Sequence, residues 1–343
     1  MEDTAADGGH GMLRVSDEAM QTGVLLMAHG TPSSLDEMPE YLRLVRGGRP
    51  PSPELVAEMR HHYTAIGGRS PLTELTLAQA EALRRRLGPG VPVAVGMRNW
   101  RPFIREAVRE LAEAGVRRII GIPLAPQFST LSVGKYFDAA AAALDELDRG
   151  SAPDPGSVAC GGPDVPRRSL AGAPCAPRGP ITLERVETFH AHPLLLDAFA
   201  ERLRAAGPRP DEAVVFTAHS LPVRVVQAGD RYADEVAATV EGVATRAGLR
   251  RYLQAYQSAG RTPEPWIGPD VGDLVAEEAA RGTRRFLVAP IGFVCDHTEI
   301  LFDIDVQARA AAERCGAELR RTESLNTLPT FIGMLEDLVR RRL

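Results

Sequence analysis

Two histidines occupy the same place in two similar stretches of the chain. Leu25 to Pro32 reads Leu-Leu-Met-Ala-His29-Gly-Thr-Pro, and Val215 to Pro222 reads Val-Phe-Thr-Ala-His219-Ser-Leu-Pro. In each, an apolar run of strand length ends at the histidine, so the ring stands at a strand terminus rather than inside a helix. An imidazole placed there can take a proton near neutral pH or ligate a metal; its ordinary alternative is a ring satisfied by a nearby carbonyl. Further along, Cys295-Asp-His-Thr-Glu-Ile-Leu-Phe-Asp303 puts Asp296, Glu299 and Asp303 at i, i+3 and i+7. That spacing predicts one face of a helix beginning at a strand end. Glu299 alone reads as a solvated helix carboxylate. A neutral imidazole facing such carboxylates can accept a proton or hold a divalent cation, and the residues leave both chemistries open.

The elements that must position these groups are legible as a rhythm. Strand-length apolar runs at 24–27, 91–95, 118–123, 214–217 and 286–290 alternate with longer helical patterns, which predicts parallel sheets flanked by helices. Both halves carry the same signals in the same order. After the Ala-His turn, Gly115-Val-Arg-Arg-Ile-Ile-Gly-Ile-Pro123 matches Gly282-Thr-Arg-Arg-Phe-Leu-Val-Ala-Pro290, and a helix start follows each Pro, over 129–140 and over 296–308. Where the first half has Ser132 the second has Glu299. The fold class expected is therefore α/β, two similar Rossmann-like lobes from a duplication. Ligands of open α/β sheets sit beyond the carboxyl ends of the strands, so both Ala-His turns should face one cleft between the lobes.

The expected organisation is a flexible tail over 1–22, an N-terminal lobe over 23–150, an insert over 151–180, a C-terminal lobe over 181–325 and a closing helix over 326–343. The insert holds seven Pro and five Gly among 30 residues, which predicts a mobile segment. Phe331, Leu335 and Leu338 share one face of the last helix.

Composition excludes several classes. The 343 residues carry 40 Lys plus Arg against 45 Asp plus Glu, a net charge of −5 with both signs dispersed, so a nucleic-acid partner is not expected. No run approaches the roughly 20 apolar residues of a membrane span, and the first residues are acidic, which points to the cytoplasm. Four cysteines, Cys160, Cys175, Cys295 and Cys315, lack metal-knot or disulfide-framework spacing and read as free thiols. There is no Walker loop, G-x-G-x-x-G turn or H-E-x-x-H helix.

The segments Phe216-Thr-Ala-His-Ser-Leu-Pro222 and Pro290-Ile-Gly-Phe-Val-Cys-Asp-His-Thr-Glu299 resemble the signature segments of the ferrochelatases, enzymes that insert ferrous iron into a porphyrin. The resemblance runs from about residue 23 to the end, apart from the insert. It is supported by Tyr63-Thr-Ala-Ile-Gly-Gly-Arg-Ser-Pro-Leu72 and by Tyr256 to Trp266, the latter similar to members that use coproporphyrin III. The family implies a porphyrin bent in the cleft, with His219 as proton acceptor and metal contact and Glu299 assisting both tasks. It further implies Asp296 and Asp303 on an acidic path for the cation, and Arg46, Tyr63 and Ser70 near the substrate carboxylates.

Three departures stand out. His29 occupies a position where coproporphyrin-type relatives have tyrosine, so it is expected against the porphyrin face opposite His219, as a candidate axial ligand or as a turn residue. Gln307 replaces a carboxylate of the acidic ladder. No cysteine follows Cys315, so no iron–sulfur cluster is expected, nor any other tightly bound cofactor. The implied activity is iron insertion into coproporphyrin III, by a monomer touching other haem-pathway enzymes at most transiently. The alternatives are a protoporphyrin IX ferrochelatase, a cobalt or sirohydrochlorin-type chelatase, and a non-catalytic tetrapyrrole carrier.

Overall fold

The computed structural model describes residues 22–151, 180–260 and 262–343. The tail over 1–22 and the insert over 151–180, with Cys160 and Cys175, lie outside the described residues except at their edges. Eight described strands make two four-stranded parallel sheets. The first contains β1 (Thr22–Ala28), β2 (Val93–Met97), β3 (Arg118–Pro123) and β4 (Thr182–Arg185) in the order β2-β1-β3-β4. The second contains β5 (Ala213–His219), β6 (Leu253–Gln257), β7 (Arg285–Pro290) and β8 (Glu318–Arg321) in the order β6-β5-β7-β8. The two orders correspond place for place, as a duplication requires. β1 and β5 are each paired on both sides: Leu25 stands opposite Ala94 and Gly121, Val215 opposite Leu253 and Val288. Strands covered on both faces read as unbroken apolar runs, which is why these two were visible in the sequence. β4, β6 and β8 are the flanking strands Thr-Leu-Glu-Arg, Leu-Gln-Ala-Tyr-Gln and Glu-Leu-Arg-Arg. Like β2, which is apolar and wholly buried, they pair on one side only, but they keep polar residues and give no such run.

The period-two alternation of β1 and β5 divides the core into layers. Val24, Leu26 and Ala28 face the same apolar cluster as Val214, Phe216 and Ala218, whereas Leu25 and Met27 face an outer cluster of the first lobe and Val215 one of the second. The shared layer between the sheets is filled by helices Leu72–Leu87, Pro193–Ala206, Tyr232–Ala247 and Pro329–Arg340. The lobes are thus joined by one continuous core and separate only at the carboxyl ends of their strands.

One boundary needs correction. β4 is hydrogen-bonded to β3, with Ile119 opposite Leu183, so the first lobe resumes after the insert and the second does not begin at 181. The helix that follows β4, Pro193–Ala206, packs against Tyr232–Ala247 of the other lobe. Correspondingly, Pro329–Arg340 follows β8 and packs back on Leu72–Leu87, burying Phe331, Leu335 and Leu338. Each lobe sends its last helix across the junction.

Candidate active site

A cleft of about 380 Å³ opens at the carboxyl ends of both sheets, within the range of small-molecule sites. His29, at the end of β1, and His219, the last residue of β5, both line it. The turn after His29 requires glycine: Gly30 has φ +81°, and a Cβ there would lie 2.9 Å from the Trp100 backbone nitrogen. Below His219, Gly292 approaches so closely that a Cβ would meet Ala218 Cα at 2.8 Å, which lets the glutamate segment lie against the end of β5.

His219 Nδ1 bonds to the Ser220 carbonyl oxygen. A carbonyl only accepts, so Nδ1 carries the hydrogen and Nε2 is the free ring nitrogen. Nε2 stands 3.7 Å from Glu299 Oε1. Two acceptors facing each other at that separation form a natural seat for a proton or a cation. The other carboxylate oxygen lies 3.4 Å from His297 Nε2, whose Nδ1 contacts the Cys295 carbonyl at 3.1 Å. Burial pushes the Glu299 carboxyl up, but the neighbouring His219 ring and the hydrogen bond and electrostatic pull of His297 outweigh it and hold the group well below the usual carboxylate range. For His297, burial lowers proton affinity while the hydrogen bond and charge of Glu299 raise it further, with a net increase. The backbone fixes the group as well. The Gln257 side chain donates to the Glu299 carbonyl at 2.7 Å, and the Gln257 carbonyl accepts the Ser220 N–H at 2.8 Å.

His29 is held differently. Its Nε2 is 3.1 Å from the Tyr41 hydroxyl, and the Asn99 amide nitrogen lies 3.3 and 3.2 Å from its two ring nitrogens. Burial lowers its pKa to about 4, so the ring is neutral at working pH. Both ring nitrogens already face protein groups, and iron ligation would require the Tyr41 hydroxyl to leave Nε2. Tyr63 lines the cleft with its hydroxyl toward Thr298, and burial raises its pKa to about 12.

Four expected site residues stand elsewhere. Asp296 precedes the helix Thr298–Leu301 rather than sharing a face of it, and its carboxylate is taken by Arg321 at 3.0 Å, Ser324 Oγ at 2.8 Å and Asn326 Nδ2 at 3.0 Å. Asp303 begins a π-helical turn, Asp303–Ala308; it bonds to Ser258 and borders a neighbouring cavity with Gln307 rather than the cleft. Burial raises its pKa to about 6. Arg46 is exposed at the end of helix Met38–Val45 and does not line the cleft. Ser70 is buried with its hydroxyl accepting the Leu72 N–H at 3.4 Å, also outside the cleft.

Sequence reasoning missed Arg98, Tyr136, His297 and Tyr232, all of which line the cleft. Among the described residues Arg98 forms no ion pair with a carboxylate; its guanidinium reaches the Leu131 carbonyl at 3.5 Å and lies near enough to lower the proton affinity of His29 and Tyr136. The Tyr232 hydroxyl donates to the His219 carbonyl at 2.9 Å. The available signal was that Arg98 follows β2, at the same carboxyl edge as both histidines. One rim of the cleft is tied across the lobes: Asp230 accepts from the Thr130 N–H at 2.7 Å, and the buried Glu235 from the Phe128 N–H at 2.7 Å and Thr188 Oγ1 at 2.6 Å.

Paired parallel-sheet lobes with a histidine and a glutamate meeting at their carboxyl edge define a chelatase-like architecture. Two solved structures share this fold: SirB from Bacillus subtilis with Fe3+ (TM-score 0.55, 11% identity, 94% of this chain and 95% of that one) and the sirohydrochlorin chelatase SirB from B. subtilis subspecies spizizenii in complex with cobalt (TM-score 0.53, 9% identity, 94% of each chain). The Ferrochelatase family profile matches residues 21–155 and 168–343. Similar curated proteins include a ferrochelatase of Deinococcus radiodurans, 39% identical over 93% of this chain and 95% of its own length. The coproporphyrin III ferrochelatase of Geobacillus kaustophilus is 36% identical over 93% of this chain and 95% of its own. The chain belongs to the ferrochelatase family and is an enzyme of that class. No helix among the described residues is long and apolar enough to cross a membrane.

Proposed function

We propose that the protein inserts ferrous iron into coproporphyrin III in the cytoplasm, as a monomer, with His219 as the base. The observation that carries this reading is the free Nε2 of His219 standing 3.7 Å from Glu299 Oε1 in a cleft walled by Leu124, Leu221, Pro222 and Phe293. Insertion replaces two pyrrole N–H protons by one divalent cation. His219 accepts the two protons in turn, releasing each to solvent through its part-exposed ring, and the Glu299 carboxylate stabilises the imidazolium formed each time. A carboxyl held below its usual range is a poor proton store, so Glu299 acts through its charge and as an oxygen contact for the arriving iron.

Arg98 replaces Arg46 as the partner for a substrate carboxylate, with Tyr63 and Tyr136 offering hydroxyls inside the same cleft. His29 faces the macrocycle as a neutral ring held by Tyr41 and Asn99. The preference for coproporphyrin III is supported by relatives bearing that name and by the segment from Tyr256 to Trp266. An anaerobic absorbance assay with ferrous iron and either porphyrin tests it. Turnover with coproporphyrin III and little with protoporphyrin IX is expected; the reverse overturns the substrate assignment, and no turnover with either overturns the activity.

A further inference from the structure

We propose that Arg321 is the positioning residue for Glu299, a role that rests on the reading of Glu299 above. Arg321 ends β8, in register with Val288, at the carboxyl edge where the cleft opens. It does not line the cleft and so acts through another residue. Its side chain is only 13% exposed and its guanidinium is fully engaged. Nη2 stands 3.0 Å from Asp296 Oδ1, Nε stands 2.9 and 3.0 Å from the two oxygens of Asp305, and Nη1 donates to the Thr322 carbonyl at 3.0 Å. Asp296 lies on the amino-terminal side of Glu299 and Asp305 on the carboxyl-terminal side. One cation therefore holds both flanks of the segment that carries the glutamate.

That segment is irregular around Glu299, although the helical run goes on to Arg314. The helix Thr298–Leu301 is a single turn, far below the length at which helices are stable alone. It passes directly into the π-helical turn, in which the Gln307 N–H reaches back to the Phe302 carbonyl at 2.9 Å. Such turns are uncommon and persist where the surroundings impose them. The surroundings here are the core that buries Ile300, Ile304 and Ala308 and, on the polar side, the Arg321 fork, together with Ser324 and Asn326 on Asp296 and Arg309 at 3.5 Å from Asp305. A half-buried ion triad of this kind adds little net stability, but a planar guanidinium fixes direction, and a lysine cannot span two carboxylates with the same geometry. The 3.7 Å gap between Glu299 and His219 is thus set from outside the cleft.

The test is a double-mutant cycle of Arg321→Lys with Glu299→Gln, followed by single-turnover iron insertion with enzyme in excess and by fluorescence titration with porphyrin alone. Arg321→Lys keeps the charge and loses the fork. Porphyrin affinity should stay within about twofold and insertion should fall about tenfold or more, since displacing a catalytic group by an ångström is costly. On the Glu299→Gln background the same change should remove no more than about another twofold, because its effect runs through a group already disabled. Arg321→Gln, which also removes the charge, should fall further. Insertion within twofold of wild type in Arg321→Lys, or a loss that multiplies fully with Glu299→Gln, overturns the proposal. So does a failure of Arg321→Lys to fold, which would make the residue a folding contact. Unchanged insertion in Glu299→Gln alone brings down the parent reading too, whereas a Glu299→Gln loss that simply multiplies with Arg321→Lys defeats the positioning role only.

Discussion

At the scale of single residues the cleft divides labour by electrostatic environment. His219 keeps a free Nε2 because its other nitrogen is spent on the Ser220 carbonyl; Glu299 keeps its charge because two histidines flank it. Removing the base should therefore cost turnover and spare binding. His219→Ala is expected to lower kcat by about 100-fold or more, the ordinary worth of a positioned base, with porphyrin affinity within about threefold by fluorescence titration. Retention of kcat within threefold would assign the proton to another group. Glu299→Gln preserves shape and removes charge, so the loss should again fall on kcat, and an effect confined to porphyrin affinity would contradict the role given to the carboxylate. Arg98 makes the opposite split. Arg98→Leu should weaken porphyrin binding about tenfold, roughly 1.4 kcal/mol, with kcat little changed, whereas Arg46→Leu should be near neutral. Equal effects of the two would restore Arg46 as the carboxylate partner.

Among the elements, the start of helix Tyr232–Ala247 joins the two sides of the cleft. Its Tyr232 hydroxyl holds the end of β5, while Asp230 before it and Glu235 within it hold residues 128 and 130 of the other lobe. Burial pushes the Glu235 carboxyl up, but hydrogen bonds from His190, the Phe128 N–H and Thr188 lower it by more, leaving it below its usual 4.5. A carboxyl with a depressed folded-state pKa contributes stability that is present above the unfolded value and lost as pH falls toward the folded one. Melting temperature should thus decline below about pH 4.5 in part through Glu235. Glu235→Gln should cost about 1–3 kcal/mol at neutral pH and make the acid decline shallower. An acid limb as steep as in wild type would show that other carboxylates govern it.

At the scale of the whole molecule the two sheets share one core. Val24 and Phe216, from equivalent strands of different lobes, face a single cluster, and the last helix of each lobe lies across the junction. Leu335 is fully buried in that cluster. Leu335→Ala should cost about 2–5 kcal/mol and lower the melting temperature of both lobes together, in one calorimetric transition. Two resolved transitions, with the change confined to one, would mean that the lobes fold independently.

What the sequence determined by itself was whatever local pattern encodes. The doubly covered strands β1, β3, β5 and β7 show as unbroken apolar runs because burial on both faces permits nothing else, and the paired Ala-His turns locate two ends of one cleft. Of the four one-sided strands the buried, apolar β2 was legible, whereas β4, β6 and β8 escaped because their polar residues mask the pairing, and with them went the lobe boundary after the insert. Tertiary structure alone decided the fate of the acidic run. The spacing of Asp296, Glu299 and Asp303 fits one helical face only if the segment is a regular α-helix, and it begins as a loop, makes one turn and widens into a π-helical turn. Asp296 then belongs to Arg321, 25 residues further on in another strand, and only Glu299 reaches the cleft. Likewise nothing local separates Arg98 from Arg46: both are arginines at element ends, and what differs is which end the folded sheets turn toward the cleft.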